Sequence, residues 1–463
     1  MIDSLKTLPL HLTTKPLVIR GKIDGTASNI SADNVDANVL VTQALFVSGS
    51  ERLALDTIQV LSGRSDTGNY IKLRSSIANA SLTGQYRLAD LGSIVQNTIQ
   101  PYFAVTPAVQ QSSLTPYNFD FNADIMIIDF RSDTVTKPTP AMMEAMVKAR
   151  VGDDVFGEDP SINELENLSA TMFGMEAALF CPSGTMTNQI AIKCHTQPGD
   201  EVICDESSHV YQYEAGGIAF NSGASVKLLA GDRGRIKADQ VKAAINSDDN
   251  HKAHTSLVCI ENTSNRGGGS CYDFQVIKEI ENVCRENKLK FHLDGARLFN
   301  ALVERKETAN QYGETFDSIS ICISKGLGCP VGSVLIGKKD FIKKARRVRK
   351  VFGGGMRQAG FLAAAGIYAL QNHVDRLKED HEHAGQIAEA LQKKKFVKMM
   401  LPVETNIIIF QLDDSMTAPA LVAKLKEQNI LGYAIAPNRV RLVLHLDVTK
   451  EMIKRTIEVI NQL

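Results

Sequence analysis

Hydrophobic and polar residues alternate with two different periods along the chain. In the first hundred residues, short runs alternate with a period of two and are separated by Gly, Asn, Asp and Ser, which is typical of antiparallel strands. Such runs occupy residues 17–26, 37–49 and 56–63. We therefore predict a β-rich segment over residues 1–104, followed by a linker over residues 105–125.

After the linker the period changes. Strand-like apolar runs alternate with amphipathic helical stretches such as residues 276–287. This alternation predicts a mostly parallel sheet covered by helices, and strands that are apolar throughout predict burial on both faces. We expect an α/β large domain over residues 126–374 and a small α+β domain over residues 375–463. The strand-like runs are residues 201–205, 225–229, 256–261, 289–294, 318–323 and 333–337, with 405–412 and 439–446 in the small domain.

The composition and net charge of the chain exclude some classes of partner and of site. Of 463 residues, 44% are hydrophobic and 22% are charged, and the formal net charge is −1, so no electrostatic feature favours nucleic acid or a membrane surface as a partner. The sequence has no apolar run of membrane-spanning length and no secretory signal pattern, which predicts a cytoplasmic protein. Eight cysteines without a C-x-x-C pair predict buried, reduced thiols and no metal site.

The composition also changes near Met126. All eight cysteines follow residue 180, and twelve of the thirteen methionines lie at or after Met126. The part before it resembles segments of the β-rich AsmA/TamB-type envelope proteins. We interpret the chain as two unrelated pieces joined near this methionine, and the alternative is a genuine accessory β-domain.

Two polar side chains follow separate strand-like runs. Asp294 ends one run, and Lys325 follows another. In an open α/β sheet, ligands bind at the carboxyl ends of the strands. A lysine amine forms a Schiff base with the aldehyde of pyridoxal phosphate (PLP), and a carboxylate keeps the pyridine nitrogen protonated so that the ring accepts electrons. The pair predicts a PLP site, and the competing interpretations are a surface lysine and a helix-capping aspartate.

A candidate phosphate-binding segment lies at residues 181–188. Ser183, Gly184 and Thr185 precede a helical run, where glycine allows close approach and the first amides of the helix face an anion. His209 follows the strand-like run 201–205, where an imidazole could stack on the cofactor ring and reach a substrate hydroxyl. A structural histidine is the alternative. His292 and His445 are predicted to be structural.

Nine motifs then follow one another in a fixed order. They resemble the successive motifs of the low-specificity threonine aldolases, PLP enzymes of fold type I, the aspartate-aminotransferase-like fold. The resemblance covers residues 126–463, nearly three quarters of the chain. The motifs are FRSDTVTKP, GDDVFGEDP, PSGTMTN, HVYQYEAGG, ENTSNRGGG, LDGARLFNA, SKGLGCPVGS, GGGMRQAG and RLVLHLDV.

The resemblance implies a role for each candidate residue. The substrate carboxylate is bound by serine and arginine, and arginine is suited to hold a carboxylate through two donors. The roles implied are Schiff base for Lys325, pyridinium partner for Asp294, phosphate binding for Ser183, Gly184 and Thr185, ring stacking and catalysis for His209, substrate carboxylate binding for Ser132 and Arg441, lining of the site for Arg297, and contact with a neighbouring subunit's cofactor phosphate for Arg357.

The reaction implied is retro-aldol cleavage of L-threonine or L-allo-threonine to glycine and acetaldehyde. The proton of the β-hydroxyl would pass to His209 or to a water on the phosphate. The resemblance also implies a homo-oligomer, a dimer of dimers, with sites between subunits. The alternatives are another fold type I PLP reaction, such as β-elimination or transamination, and an inactive fusion with an envelope β-protein fragment.

One position departs from the family pattern. Ser264 lies in ENTSNRGGG, where many relatives of this kind carry a histidine. Serine is a poor base at neutral pH, so an essential histidine is not available at this position. We expect that such a histidine is dispensable, and the alternative is altered activity toward the β-substituent.

Overall fold

The computed structural model describes residues 2–6, 18–29, 35–48, 51–75, 78–87 and 118–463. It divides the chain into two compact units, Met1–Ile127 and Ile128–Leu463, and each is described by itself. In the described ranges, no helix combines the length and apolar character needed to cross a membrane.

The described part of the first unit is an antiparallel sheet in which strands pair in chain order, β1 to β7. Its apolar cluster is small, with Ala44, Leu55 and Ile58 buried at its centre. The predicted β-rich character of this segment is confirmed. The strands are β1 (Ile2–Lys6), β2 (Val18–Ser28), β3 (Asp36–Ser48), β4 (Glu51–Ser65), β5 (Gly68–Ser75), β6 (Ala78–Gln85) and β7 (Asn118–Ile125).

The predicted linker over residues 105–125 is wrong in its last part. Residues 118–125 form β7, which pairs antiparallel with β6 from Asn118↔Gln85 to Ile125↔Ala78. The sequence NFDFNADI alternates apolar and polar residues with a period of two, which is the pattern of a strand. The rest of the predicted linker, residues 105–117, lies outside the described residues.

The second unit contains a large seven-stranded sheet in the order β11-β10-β12-β13-β14-β15-β9. Within this sheet, β15 runs antiparallel to both of its neighbours, and the other pairings are parallel. Every residue of β12 is buried, as expected for a strand covered on both faces. The strands are β9 (Ala177–Cys181), β10 (Glu201–Asp205), β11 (Ser225–Leu229), β12 (Thr255–Glu261), β13 (Lys290–Gly295), β14 (Ser318–Cys322) and β15 (Ser333–Gly337).

Helices cover this sheet, so the predicted α/β architecture is confirmed. On one face of the sheet, α10 packs against α1 and α2, and on the opposite face α9 packs against α3 and β9. The helices are α1 (Pro140–Val147), α2 (Pro160–Met172), α3 (Gly184–His195), α4 (His209–Gln212), α5 (Ala238–Ala244), α6 (Phe274–Glu286), α7 (Leu298–Arg305), α8 (Ala309–Thr315), α9 (Lys339–Val351) and α10 (Gly360–Asn372).

The C-terminal part forms a four-stranded sheet in the order β16-β17-β20-β19 with helices beside it. The start of the second unit joins this part, because β8 (Ile128–Asp129) pairs with β18 (Ile430–Leu431). The remaining elements are α11 (Leu377–Gln392), β16 (Val397–Met400), β17 (Ile407–Leu412), α12 (Ala418–Glu427), β19 (Tyr433–Ala436), β20 (Arg439–Val443) and α13 (Lys450–Gln462).

Candidate active site

The carboxyl ends of six strands lie at one edge of the large sheet, because all of its strands except β15 run in the same direction. The strands β9, β10, β12, β13 and β14 point the same way, and the candidate side chains lie at or just after their ends. This is the edge at which open α/β sheets bind ligands. Three of the polar groups there come close together, since one ring nitrogen of His209 and carboxylate oxygens of Glu214 and Asp294 lie within 4.8 Å of one another.

Helix α3 begins directly after β9. The Ser183 hydroxyl caps it by accepting a hydrogen bond of 3.2 Å from the Met186 amide. Gly184 begins the helix, and a Cβ there would lie 3.5 Å from the Ser333 hydroxyl. That hydroxyl is buried and has no hydrogen-bond partner among the residues that the structure describes. The helix start and its hydroxyls therefore offer free donors, as an anion site requires.

Lys325 lies three residues after the end of β14. Its amine makes no hydrogen bond with a described residue, while its charge lowers the pKa of both Asp133 and Cys322 against the effect of their burial. A half-buried lysine without a bonding partner has an amine available for reaction.

Asp294 is buried at the end of β13, beside the strand that leads to Lys325. One carboxylate oxygen accepts a hydrogen bond of 3.0 Å from the Asn188 side-chain amide, and the other accepts one of 3.1 Å from the Ala296 backbone amide. Asn188 lies one helical turn after Gly184 on α3. These bonds fix the orientation of the carboxylate.

His209 is oriented by Glu214. Its Nδ1 lies 3.0 Å from a Glu214 oxygen, so Nδ1 carries the hydrogen and Nε2 is left as the free ring nitrogen. Burial lowers the pKa of His209, but the hydrogen bond to Glu214 and the charges of Asp294, Glu214 and Glu261 outweigh burial and raise the pKa above its ordinary value. The ring is thus adapted to take up a proton.

Glu261 connects the segment that begins at His209 with the loop that contains Asn265, which contacts Arg441. Its carboxylate accepts backbone hydrogen bonds of 2.9 Å from His209 and from Asn265. Burial, followed by the charge of Asp294, raises the pKa of Glu261 to about 7. Asn265 in turn accepts a hydrogen bond of 2.9 Å from Arg441.

Arg441 has one buried donor, Nε, that makes no hydrogen bond with the described residues. One terminal nitrogen bonds Asn265 and the other bonds the Arg131 carbonyl at 3.1 Å, but Nε is buried and has no partner in the described range 118–463. Burial and the positive charge of Arg297 lower the pKa of Arg441 to about 10. An arginine with a buried donor left over is suited to bind an anionic group.

Arg297 is already paired. Its Nε and one terminal nitrogen each donate a hydrogen bond of 2.7 Å to the buried carboxylate of Asp133. This pair holds the turn that contains Ser132, whose hydroxyl accepts a hydrogen bond of 3.2 Å from the Thr134 amide. The structure thus brings Ser132 and Arg297 close together. The Arg297 guanidinium is paired with Asp133 and is not a free cation.

The side chains of Arg357 and Ser264 contact residues outside the set of candidate residues. The Arg357 guanidinium is exposed and pairs with Asp153 at 2.8 Å. Ser264 is buried, and its hydroxyl accepts a hydrogen bond of 3.2 Å from the Gly267 amide. A Cβ on Gly234 would lie only 2.2 Å from the Ser264 hydroxyl, so this serine is also in close contact with that turn.

The motif analysis missed four polar residues of this site, namely Asp133, Asn188, Glu214 and Glu261. All are buried. The available signal was their chemistry, because charged or amide side chains inside apolar or tightly packed segments require a partner. The sequence does not state which partner, since the bond from Asn188 to Asp294 spans 106 positions.

Comparison with known proteins agrees with this arrangement. The family model described as Beta-eliminating lyase matches residues 129–415. The chain is 44% identical to a low specificity L-threonine aldolase of Escherichia coli, over 71% of this chain and 96% of the relative. It is 40% identical to low-specificity L-threonine aldolase 1 of Arabidopsis thaliana, over 72% and 96%, and 39% identical to the Saccharomyces cerevisiae enzyme of that type, over 71% and 84%.

Solved structures support the fold. A threonine aldolase of Leishmania major superposes with a TM-score of 0.65 at 23% identity, covering 72% of this chain and 99% of that chain. A putative L-allo-threonine aldolase of Listeria monocytogenes superposes with a TM-score of 0.62 at 20% identity, covering 72% and 96%. Neither match extends over the whole chain.

Proposed function

The chain belongs to the low-specificity L-threonine aldolase family, and on that premise we propose that it is a PLP-dependent carbon–carbon lyase that converts L-threonine or L-allo-threonine to glycine and acetaldehyde. The observation that carries the proposal is that the free amine of Lys325 follows β14, next to the strand β13 that carries the oriented carboxylate of Asp294.

The residues of the site fit PLP. Lys325 would hold the aldehyde end, Asp294 would face the pyridine nitrogen, and the start of α3 with Ser183, Gly184 and Thr185 would hold the phosphate. The unpartnered Ser333 hydroxyl beside Gly184 supports this fit, because a buried donor without a partner is costly unless a ligand satisfies it. When bound, PLP supplies an electron sink for the electrons of the broken bond.

The protein's own task is to orient the amino acid and to move one proton. Arg441, with its unused buried donor, and Ser132 would bind the substrate carboxylate. Holding the carboxylate fixes which bond at the α-carbon breaks, and that bond must be the one to the β-carbon. The free Nε2 of His209 would accept the proton of the β-hydroxyl, which its raised pKa favours.

The decisive measurement is the product formed from L-threonine and from L-allo-threonine. Purified protein supplied with PLP should release acetaldehyde and glycine in equal amounts. Lys325→Ala should lose both the product and the long-wavelength absorbance of the bound cofactor. Formation of 2-oxobutyrate instead would assign the chain to an eliminating reaction, and an unchanged Lys325→Ala variant would remove Lys325 from the site.

The chain is also proposed to act as a homo-oligomer whose active sites are shared. Arg357 supports this view, because it is exposed on its own chain yet lies in one of the motifs that resemble the family pattern. Exposed apolar side chains nearby, Phe156 and Val351, provide surface that a second copy could cover. The phosphate held by α3 of one copy would then meet Arg357 of another.

A further inference from the structure

A chain of buried polar side chains leads away from Asp294 through the sheet. The Asn188 oxygen lies 3.2 Å from Nε2 of His292, and Nδ1 of His292 lies 2.8 Å from the Ser318 hydroxyl. That hydroxyl lies 2.8 Å from Nε2 of His195, the last residue of α3. Both His292 and Ser318 are fully buried.

The donor and the acceptor of every hydrogen bond among these side chains follow from the contacts of Asn188. The Asn188 side-chain nitrogen faces two carboxylates, Glu214 at 2.9 Å and Asp294 at 3.0 Å, so this atom must be the donor. The amide oxygen of Asn188 therefore faces His292, whose Nε2 must carry a hydrogen. A neutral His292 then accepts at Nδ1 from the Ser318 hydroxyl, and Ser318 accepts from Nε2 of His195.

Neutral imidazoles are the favoured forms in this place. Burial, followed by the neighbouring His195, lowers the pKa of His292 to about 3. Burial lowers the pKa of His195 to about 4, against the charge of Asp317. The His195 ring is further fixed by stacking on Phe341 at 4.5 Å between ring centroids.

We infer that His195, Ser318 and His292, which together form a relay, are positioning residues that hold the Asn188 amide with its nitrogen toward Asp294. The inference rests on the proposed function, since it assigns Asp294 to the pyridine nitrogen of PLP. Its content is that the amide holding this carboxylate is itself held from the opposite side by His292, Ser318 and His195. His292, which the sequence predicts to be structural, thereby acts on the cofactor without touching it.

Losing the Ser318 hydroxyl should weaken the hold of His292 on the Asn188 amide. Without that donor, neutral His292 can place its hydrogen on Nδ1, where the backbone carbonyl of residue 318 lies 3.2 Å away. Nε2 then presents a lone pair to the Asn188 oxygen. Two acceptors repel each other, so the amide loses its outer hydrogen bond and is displaced from its place beside Asp294, while its nitrogen remains the donor to Glu214 and Asp294.

Ser320 provides a matched control on the same strand, β14. Ser320 is as buried as Ser318 and two residues further along β14, but its hydroxyl bonds Thr187 at 2.6 Å and takes no part in the relay. Ser318→Ala and Ser320→Ala each remove one buried hydroxyl from one strand. Ser318→Thr keeps the hydroxyl on a residue type suited to strands.

The test measures PLP affinity of the apoprotein, the pH titration of the bound cofactor's absorbance, and kcat and KM with L-threonine. Ser318→Ala should weaken PLP binding by roughly tenfold, the size expected for one buried hydrogen bond, and should move the absorbance titration. It should lower kcat with KM nearly unchanged, because Arg441 is untouched. Ser320→Ala and Ser318→Thr should match wild type in these readouts.

A second variant, His292→Phe, tests the same inference if Ser318→Ala does not fold. His292→Phe keeps a ring of similar shape and removes both nitrogens, and it should show the same direction of change in PLP affinity and absorbance titration. The groups facing Asp294 in that titration are Asn188, His209, Glu214 and Glu261, none of which is altered. If Ser318→Ala and His292→Phe behave like Ser320→Ala, the relay is overturned. A wild-type protein that binds no PLP would overturn the proposed function and the relay together.

Discussion

At the scale of single residues, Glu214 decides what His209 can do. The carboxylate fixes the hydrogen on Nδ1 and helps to raise the pKa of the ring. If the free Nε2 accepts the substrate proton, activity requires the unprotonated ring and falls as the pH drops through its pKa. A raised pKa places this acid limb at a higher pH than an ordinary histidine would.

Glu214→Gln should therefore shift the acid limb of the kcat/KM profile to lower pH. The shift should be about one pH unit, because one of three carboxylate charges near the ring is removed. Glu206→Gln is the control, since Glu206 is exposed and close in sequence. An acid limb that stays in place in Glu214→Gln would show that another group accepts the proton.

Arg441 and Arg439 point to the same face of β20 in the sequence pattern, but their surroundings differ. Arg439 is exposed, whereas Arg441 is half-buried and carries the unpartnered Nε. Arg441→Lys keeps the charge and loses the planar donor pair, so kcat/KM for L-threonine should fall by roughly tenfold to a hundredfold, mainly through KM. Arg439→Lys, measured in parallel, should match wild type, and equal losses in both variants would contradict a specific role of Arg441.

The positions of Lys325 and Asp294 at strand ends could be predicted from the sequence, and their roles stay predictions. Lys325 and Asp294 follow apolar runs, and that position predicts a ligand site before any contact is known. Glu214 and Asn188 could not be assigned in the same way. Their partners are distant in the chain, and a buried polar residue indicates only that a partner exists.

At the scale of elements, the pair of Asp133 and Arg297 ties the turn after β8 to the start of α7. Burial raises the pKa of Asp133, but the charges of Arg297 and Lys325 and the hydrogen bonds to it outweigh burial and lower the pKa. A lowered pKa means that this stabilisation is present above the unfolded-state pKa and is lost as the pH falls through the folded-state pKa.

Asp133→Asn should lower the free energy of unfolding by about 3 to 5 kcal/mol at neutral pH, because it leaves a buried guanidinium without its charged partner. The urea midpoints of the variant and wild type should converge in acid, where wild-type Asp133 is also neutral. Asp129→Asn is the control, since its pair with the exposed Arg131 is expected to contribute only about 0 to 1 kcal/mol. A constant difference at all pH values would show that the charge of Asp133 is not what matters.

Several strands were predictable from their apolar runs, including β11, although its residues are exposed or half-buried at the edge of the sheet and are not buried on both faces as the sequence predicts. The runs 201–205, 225–229 and 333–337 match β10, β11 and β15. Strand β9 was missed, because AALFC follows a helix after a single turn and its alanines do not distinguish strand from helix. Gly174, at a φ of 61°, ends the preceding turn in a conformation that favours glycine.

At the scale of the whole molecule, the first unit is expected to be dispensable for catalysis. The Escherichia coli relative is covered over 96% of its length by 71% of this chain. A chain that begins at Met126 keeps β8 and should fold, bind PLP and show wild-type kcat/KM. Loss of PLP binding in this shortened chain would show that the first unit is required.

A chain that begins at Arg131 provides the control for that truncation. It lacks Ile128 and Phe130, which are buried and whose amides bond the carbonyls of Asn429 and Leu431. It should be less stable in urea than the chain that begins at Met126. Equal stability would show that pairing of β8 with β18 contributes little.

Shared active sites can be tested by mixing two inactive variants. A Lys325→Ala copy still presents Arg357, and an Arg357→Ala copy still presents Lys325. If Arg357 of one copy completes the site of another, co-refolded mixtures should regain part of the wild-type rate of acetaldehyde release. Mixtures that remain as inactive as their components would contradict a shared site.

Helix α3 touches three parts of this machinery along its length. It starts at Gly184 beside the phosphate position, carries Asn188 one turn later and ends at His195. With a rise of about 1.5 Å per residue, the separation between the phosphate position and the amide that holds Asp294 is set by helix geometry alone. Insertion of one residue between them would rotate Asn188 by about 100° around the axis, so α3 should tolerate substitutions far better than any change in its length.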